Sequence, residues 1–219
     1  MRPKDEIESG RYQDYVIKDG QMIGEFDLMY RKFPDPWGCG ADSASIQNDL
    51  LCTLLKRVAD EVNTVLDVGC GLGALTGRIK AVLEPVRVCA IDISETAIEE
   101  ASGMYPDIDF RVHNLLKDPF HRLPHNLDII TMAEVCWYII PDISRVLDGL
   151  YELLRLGGHL AIPQHFYHPD EQQYGNEVMT APNDLIKLLE KSRFQVVREV
   201  LIQLTPPNHV FIWARKMPL

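Results

Sequence analysis

The sequence has no long apolar segment and no excess of positive charge. No run approaches the ~20 apolar residues that a membrane-spanning helix needs, and the polar stretch from Arg2 to Glu6 is unlike the apolar centre of a signal peptide. The 22 Lys and Arg residues are outnumbered by 32 Asp and Glu residues, which gives a net charge of −10. A nucleic acid requires a basic binding face. We therefore expect neither a membrane nor a nucleic acid among the partners.

Cysteine is also limited, and its spacing argues against the common cysteine frameworks. There are five cysteines, an odd number, and none of them form a C-x-x-C pair, so we expect neither a disulfide scaffold nor a metal site. They are typical of reduced thiols in a cytoplasmic protein. They are Cys39, Cys52, Cys70, Cys89 and Cys136.

The most informative stretch runs from Thr64 to Gly77. Four residues with the character of a buried strand lead into Gly69, Gly71 and Gly73, and a helical pattern begins at Ala74. Alternating glycines allow a sharp turn and a close approach of the backbone to a ligand. A strand, a glycine turn and a helix in this order form a nucleotide-type cradle, with the helix N-terminus directed at the ligand.

Two ligands compete for this cradle. A dinucleotide fingerprint needs G-x-G-x-x-G/A, whereas Thr76 occupies the third glycine position and Gly77 comes one residue late. The carboxylate of Asp67 would repel a pyrophosphate but suits a cofactor that carries an ammonium and a sulfonium. The D-x-G-x-G-x-G pattern resembles the first motif of the class I methyltransferases, which bind S-adenosylmethionine. An NAD-type oxidoreductase and a purely structural turn are the weaker alternatives.

Further cofactor contacts are expected along the same edge of the sheet. Asp92 ends the next strand, nineteen residues after Gly73, where an acidic side chain can accept both ribose hydroxyls; its alternative role is a helix cap with Ser94. The resemblance implies that Ile93 packs on the adenine ring. It also implies that Asn114 and Leu115 lie near the adenine, although Asn114 suits a turn as well.

Strands and helices alternate along the remaining sequence, which predicts a parallel sheet covered on both faces. We expect Gly157 and Gly158 to end a helix that begins at Asp142. The resemblance implies an α/β, three-layer, Rossmann-like fold with a seven-stranded, mostly parallel sheet and a reversed last strand. We expect residues 1–62 to form an arm and helices that cover the site, and residues 63–219 to form the core. The oligomeric state is left open, a homodimer included. Predicted strands are Val86–Ile93, Ile108–His113, Leu127–Ala133, His159–Gln164, Phe194–Leu204 and His209–Arg215, and predicted helices are Gly24–Phe33, Ser45–Ala59, Ser94–Tyr105 and Asn183–Ser192.

Segments outside the glycine motif narrow the resemblance. The stretch from Tyr30 to Gly38 resembles the Y-R-x-x-x-D-P-W-G signature of the family that includes the rhizobial nodulation N-methyltransferase, which acts on chitooligosaccharide Nod factors. Three later pieces are similar as well: Ala133–Ile139, Leu156–Leu160 and His165–Pro169. The likeness extends from about Tyr30 to the C-terminus.

Candidate acceptor contacts follow the fourth and fifth predicted strands. Glu134 could hold the methionine ammonium or an acceptor amine, and Tyr138 could contact the acceptor or pack in the core. His165 and His168 are candidates for substrate contact or for the general base; one H-x-x-H pair without a third ligand is weak evidence for a metal. Trp37 could cover the cofactor or close the domain.

These observations predict S-adenosylmethionine-dependent methyl transfer, with S-adenosylhomocysteine as the product. The family likeness favours an amine or hydroxyl acceptor on a sugar or a similar small polar metabolite. A hydroxyl acceptor needs a general base near neutral pH, which an amine does not. The alternative is a catalytically idle cofactor-binding or partner-binding subunit with the same fold.

Overall fold

The computed structural model describes residues 12–39, 45–84, 86–167, 171–172, 174–202 and 208–218. The strands are β1 (Ile17–Lys18), β2 (Gln21–Met22), β3 (Thr64–Val68), β4 (Arg87–Asp92), β5 (Asp109–Val112), β6 (Leu127–Met132), β7 (Leu154–Phe166), β8 (Phe194–Ile202) and β9 (Asn208–Lys216). The α-helices are α1 (Phe26–Lys32), α2 (Ile46–Val58), α3 (Ala74–Leu83), α4 (Glu95–Met104), α5 (Ile143–Leu153) and α6 (Pro182–Lys191).

Seven strands form one sheet in the order β5-β4-β3-β6-β7-β9-β8. Strands β3 to β7 pair in parallel, whereas β9 runs antiparallel to both of its neighbours, β7 and β8. This confirms the predicted Rossmann-like sheet with a reversed last strand. The order reverses at β3, whose two neighbours are β4 and β6, and open α/β sheets bind ligands at such a switch point.

The strands in the middle of the sheet are apolar because helices cover both of its faces. All six residues of β6 are buried, as are five of the six in β4. Such continuous burial is characteristic of parallel strands covered on both faces. The other predicted helices and strands are present, with ends displaced by a few residues. Among the described residues, no helix is both long enough and apolar enough to cross a membrane.

The prediction that Gly157 and Gly158 end a helix was wrong. Helix α5 ends at Leu153, and both glycines lie within β7, where the register with β6 shifts between Leu127 and Ile129. A Cβ on Gly158 would lie 2.8 Å from the carbonyl oxygen of Leu127. The glycines therefore allow two backbones to approach at an irregular point of the sheet, a recognised use of glycine in strands.

Helix α1 is joined to the sheet through the start of α4. The Asp27 carboxylate accepts hydrogen bonds from Ser94 Oγ at 3.0 Å and from the Thr96 amide at 2.9 Å. Ser94 is the N-cap of α4 and accepts a bond from the Ala97 amide. Because α4 follows Asp92 directly, these bonds place the N-terminal helix beside the carboxyl end of β4.

Candidate active site

A cavity of about 590 Å³ opens at the carboxyl ends of β3, β4, β6 and β7. Its wall also contains residues of the N-terminal segment, among them Phe26, Tyr30 and Trp37. Most of the predicted site residues line it: Trp37, Asp67, Gly69, Gly71, Asp92, Ile93, Asn114, Leu115, Glu134, Tyr138 and His165. His168 lies outside the described residues. Gly73 is absent from the wall, since it forms the N-cap of α3 and packs towards Phe110.

The glycine loop needs glycine for two reasons. Gly69 and Gly71 have φ values of +70° and +51°, a backbone region that other residues adopt at a cost. A Cβ on Gly69 would lie 2.3 Å from Val135 Cγ2, and one on Gly71 would lie 2.7 Å from the Tyr30 hydroxyl. A ligand at this loop therefore meets bare backbone, and no side chain could be added there without displacing a neighbour.

Asp67 lies beneath the loop and joins three elements. One carboxylate oxygen accepts a 2.6 Å hydrogen bond from Thr131 Oγ1 on β6, and the other accepts a 2.6 Å bond from Thr76 Oγ1 on α3. The side chain is 1 % exposed, and burial raises its pKa to about 6 despite these two bonds. Asp67 thus ties β3 to β6 and to the helix that follows the loop, while its carboxylate lines the cavity.

Asp92 ends β4 and holds both sides of the turn that follows it. Its Oδ2 accepts a 2.9 Å bond from the Gly71 amide, and its Oδ1 accepts a 2.9 Å bond from the Ser94 amide. Burial raises the pKa of Asp92, and these amide donors offset part of that rise. Each carboxylate oxygen can accept a second bond, so the cap geometry is compatible with binding a diol. Ile93 is 39 % exposed and presents an apolar surface beside it.

The residues after β5 close the far end of the cavity. The Asn114 side-chain oxygen accepts a 2.9 Å bond from the Leu116 amide, which is the turn arrangement foreseen as its alternative role. Leu115 is buried and apolar. His113 is 6 % exposed, and its Nε2 has no hydrogen-bond partner among the described residues. An unpaired buried nitrogen is costly, so this end of the cavity suits a ligand with a polar ring edge.

Glu134 and His165 form a pair on the opposite side of the cavity. Glu134 has a φ of +60°, an uncommon backbone conformation for a residue other than glycine and one that often occurs at functional sites. Its Oε2 accepts bonds from His165 Nδ1, from the His165 amide at 3.0 Å and from Gln164 Nε2 at 3.1 Å. The Nδ1 contact fixes the ring and leaves Nε2 for another partner.

Aromatic side chains from the N-terminal segment face Tyr138 across the cavity. Tyr138 packs edge-on against Phe26 with ring centroids 5.1 Å apart, and it lies 5.9 Å from Trp37. Trp37 Nε1 donates a 3.0 Å hydrogen bond to the Tyr30 hydroxyl. These contacts join the N-terminal segment to Tyr138 in the wall of the cavity.

Several polar residues of the cavity region carry no signal in the sequence. Gln164 is fully buried and accepts a bond from the Cys136 amide, while its carbonyl accepts one from Gln47 Nε2 at 3.1 Å. His209 on β9 pairs in register with His165, and its buried Nδ1 has no partner within the described part of the chain. Only the antiparallel pairing of β7 with β9 brings these histidines together, and sequence spacing does not reveal that pairing.

Comparison with known proteins bears on the fold and on the domain that contains this cavity. Residues 66–160 match a protein family described as a methyltransferase domain. The N-methyltransferase NodS from Bradyrhizobium japonicum, solved with S-adenosyl-L-homocysteine, superposes with a TM-score of 0.65 at 21 % identity and covers 87 % of this chain and 95 % of that one. The protein has the class I methyltransferase fold. The family match and the structure of NodS with S-adenosyl-L-homocysteine support S-adenosylmethionine as the cofactor.

Curated relatives share part of this methyltransferase domain. A ribosomal protein L11 methyltransferase from Thermotoga maritima is 36 % identical over 95 residues, which are 42 % of this chain and 36 % of the relative. A trans-aconitate 2-methyltransferase from an Enterobacter species is 32 % identical over 111 residues, 50 % of this chain and 42 % of the relative. The chain therefore spans less than half the length of these relatives.

Proposed function

We propose that this protein transfers the methyl group of S-adenosylmethionine to an amine or hydroxyl of a small polar acceptor. The acceptor that we favour is a sugar or a sugar-like metabolite. The observation that carries the proposal is the Glu134–His165 pair, which opens on the same cavity as the glycine loop and Asp92. We further propose that residues 1–62 act as a cover over a core of residues 63–219, a division supported by the N-terminal aromatic residues in the cavity wall.

The residues at the carboxyl edge of the sheet match the chemistry of the cofactor. Ribose hydroxyls and an ammonium are hydrogen-bond donors, and the cavity offers them the carboxylates of Asp92, Asp67 and Glu134. Ile93 and Leu115 supply apolar surface for the adenine, and the unpaired His113 Nε2 suits its polar edge. The glycine loop leaves room for a ligand that a Cβ would exclude.

The cofactor supplies an activated methyl group, so the protein contributes alignment of the acceptor and control of a proton. We assign His165 as the base: Glu134 holds Nδ1–H, and Nε2 accepts the proton that a hydroxyl or an ammonium loses. Because Glu134 is a carboxylate, it also stabilises the imidazolium that forms. This arrangement serves an N-acceptor and an O-acceptor equally.

The names of similar proteins do not single out one acceptor. Those names include a ribosomal protein, trans-aconitate and ubiquinone biosynthesis. The proposal of a polar acceptor is supported instead by the cavity wall, which contains His165, His209 and Tyr167 as well as Glu134. The likeness to NodS, an N-methyltransferase, adds support for an amine.

The test is a pair of histidine variants assayed for S-adenosylhomocysteine formation with a panel of amino sugars and hydroxylated metabolites. His165→Asn keeps a polar atom at the Nδ1 position but removes Nε2, whereas His165→Gln keeps an atom near Nε2. We expect His165→Asn to lower turnover by about 10²–10⁴-fold, the usual contribution of a general base. Cofactor affinity, measured by calorimetry, should change by less than about threefold.

Two results would contradict the proposal. Full turnover by His165→Asn would show that His165 is not the base. Cofactor binding with no product from any acceptor of the panel would favour the alternative of an idle cofactor-binding subunit.

A further inference from the structure

Tyr30 reaches the glycine loop from the N-terminal segment. It lies on α1, is 5 % exposed and forms part of the cavity wall. The position of its hydroxyl follows from Gly71, because a Cβ on that glycine would lie 2.7 Å from the hydroxyl oxygen. The oxygen therefore lies directly over the backbone that cradles the cofactor.

The Tyr30 hydroxyl has a proton to donate. Its oxygen accepts the Trp37 Nε1 hydrogen bond at 3.0 Å, and no acceptor for its own proton occurs among the described residues. Burial, followed by the nearby negative charge of Asp92, raises the pKa of Tyr30 well above its usual range. The hydroxyl thus stays protonated and faces the cavity as a neutral donor.

The cofactor has only one anionic group, the methionine carboxylate, and this donor matches it. Its ribose hydroxyls and ammonium are donors, for which the cavity provides the carboxylates of Asp92, Asp67 and Glu134. Its methionine carboxylate only accepts hydrogen bonds and would be repelled by those same side chains. The Gly71 amide is already bonded to Asp92, and Arg78, a cationic residue of the cavity wall, is bonded to Asp49.

We propose that the Tyr30 hydroxyl donates a hydrogen bond to the methionine carboxylate of S-adenosylmethionine. Helix α1, which Asp27 holds to the start of α4, thereby becomes part of the cofactor site. Trp37 positions the hydroxyl by binding the oxygen from the other side. The proposal rests on the cofactor and is independent of the identity of the acceptor.

The experiment compares two ligands by calorimetric titration of the full chain. S-adenosylmethionine carries the carboxylate, whereas decarboxylated S-adenosylmethionine keeps the ammonium, sulfonium, ribose and adenine. A hydrogen bond to a charged group is strong enough that its loss weakens binding on the order of tenfold or more. We expect wild type to prefer the carboxylated ligand by at least that factor. Tyr30→Phe should lower the affinity for S-adenosylmethionine by about the same factor and change the affinity for the decarboxylated ligand by less than about twofold.

Tyr15→Phe is the matched control. Tyr15 lies in the same N-terminal unit, where it packs against Phe33, but it is outside the cavity wall. The Tyr15→Phe variant should bind S-adenosylmethionine and its decarboxylated form as tightly as wild type does. Thermal unfolding of each variant checks that the fold is intact.

Three results would overturn the contact: no preference in wild type, no effect of Tyr30→Phe on either ligand, or equal weakening of both ligands. Absence of any cofactor binding would overturn the cofactor assignment as well. Intact binding without methyl transfer would count against the proposed acceptor chemistry alone.

Discussion

Replacing Asp67 with asparagine removes a buried charge from beneath the glycine loop and keeps the size of the side chain. Burial is the main cause that raises the pKa of Asp67 to about 6; the Thr131 and Thr76 hydroxyls lower it, and the charge of Asp92 raises it. The carboxyl group of the unfolded chain titrates near its ordinary value of 3.8. The folded protein therefore binds this proton more tightly than the unfolded chain does.

The sign and size of the effect follow from this difference. Between about pH 4 and pH 6 the folded state holds more protons, so the contribution of Asp67 to the free energy of unfolding falls as the pH rises. A tenfold change in proton affinity corresponds to about 1.4 kcal/mol, which gives a total of about 3 kcal/mol for this side chain. Asparagine does not titrate, so in Asp67→Asn the contribution of this side chain to the free energy of unfolding does not fall as the pH rises.

Urea unfolding of the cofactor-free proteins across this range measures the effect. Subtracting the free energy of the variant from that of wild type cancels the other titrating groups, and the difference should fall by about 2–3 kcal/mol from about pH 4 to pH 7. A difference that is constant with pH, or that grows as the pH rises, would refute the reasoning.

Asp128→Asn is the matched control, because Asp128 is also buried but its pKa is shifted in the opposite direction. Burial opposes its ionisation, yet bonds from Arg155 and from the Asn63 and Thr64 amides outweigh burial and lower its pKa. Its stabilising contribution is present above about pH 4 and is lost as the pH falls below that value. The corresponding difference should therefore rise with pH.

Two further predictions concern the loop and the ribose site. Gly69→Ala should destabilise the fold by about 2–4 kcal/mol, since φ is +70° and the new Cβ meets Val135. Adding Val135→Ala to Gly69→Ala should restore the part of the lost stability that comes from the clash, but not the part that comes from the backbone conformation. A double-mutant cycle of urea unfolding free energies would show this as a coupling energy between the two positions, and strictly additive free energies would contradict the clash. Asp92→Ala should weaken the binding of S-adenosylmethionine by about 1–3 kcal/mol in a calorimetric titration, because it removes the acceptor of the Gly71 amide and the proposed acceptor of the ribose hydroxyls. Unchanged affinity would remove Asp92 from the cofactor site.

Local patterns in the sequence were sufficient to predict the cradle. The strand before Asp67, the alternating glycines and the helix from Ala74 are all encoded within one short stretch, and each appears where expected. The same holds for Ser94, whose hydroxyl caps α4 as short polar residues commonly do. These features depend on neighbouring residues, which a sequence displays directly.

Features that depend on distant residues were missed or misread. Gly157 and Gly158 resemble a helix end, but the backbone of β6 is what requires glycine there. The contact of Tyr30 with the loop and the pairing of His209 with His165 arise from docking of α1 and from the reversed strand β9. No periodicity reports such contacts, because they join residues far apart in the chain.

Calorimetric titration of the wild-type protein with S-adenosylmethionine and, separately, with NAD tests the central claim most directly. The arrangement of Asp67, the glycine loop and Asp92 predicts saturable binding of S-adenosylmethionine in the micromolar range and no detectable binding of NAD. Binding of NAD, or no binding of S-adenosylmethionine, would contradict the assignment of the cavity and every role derived from it.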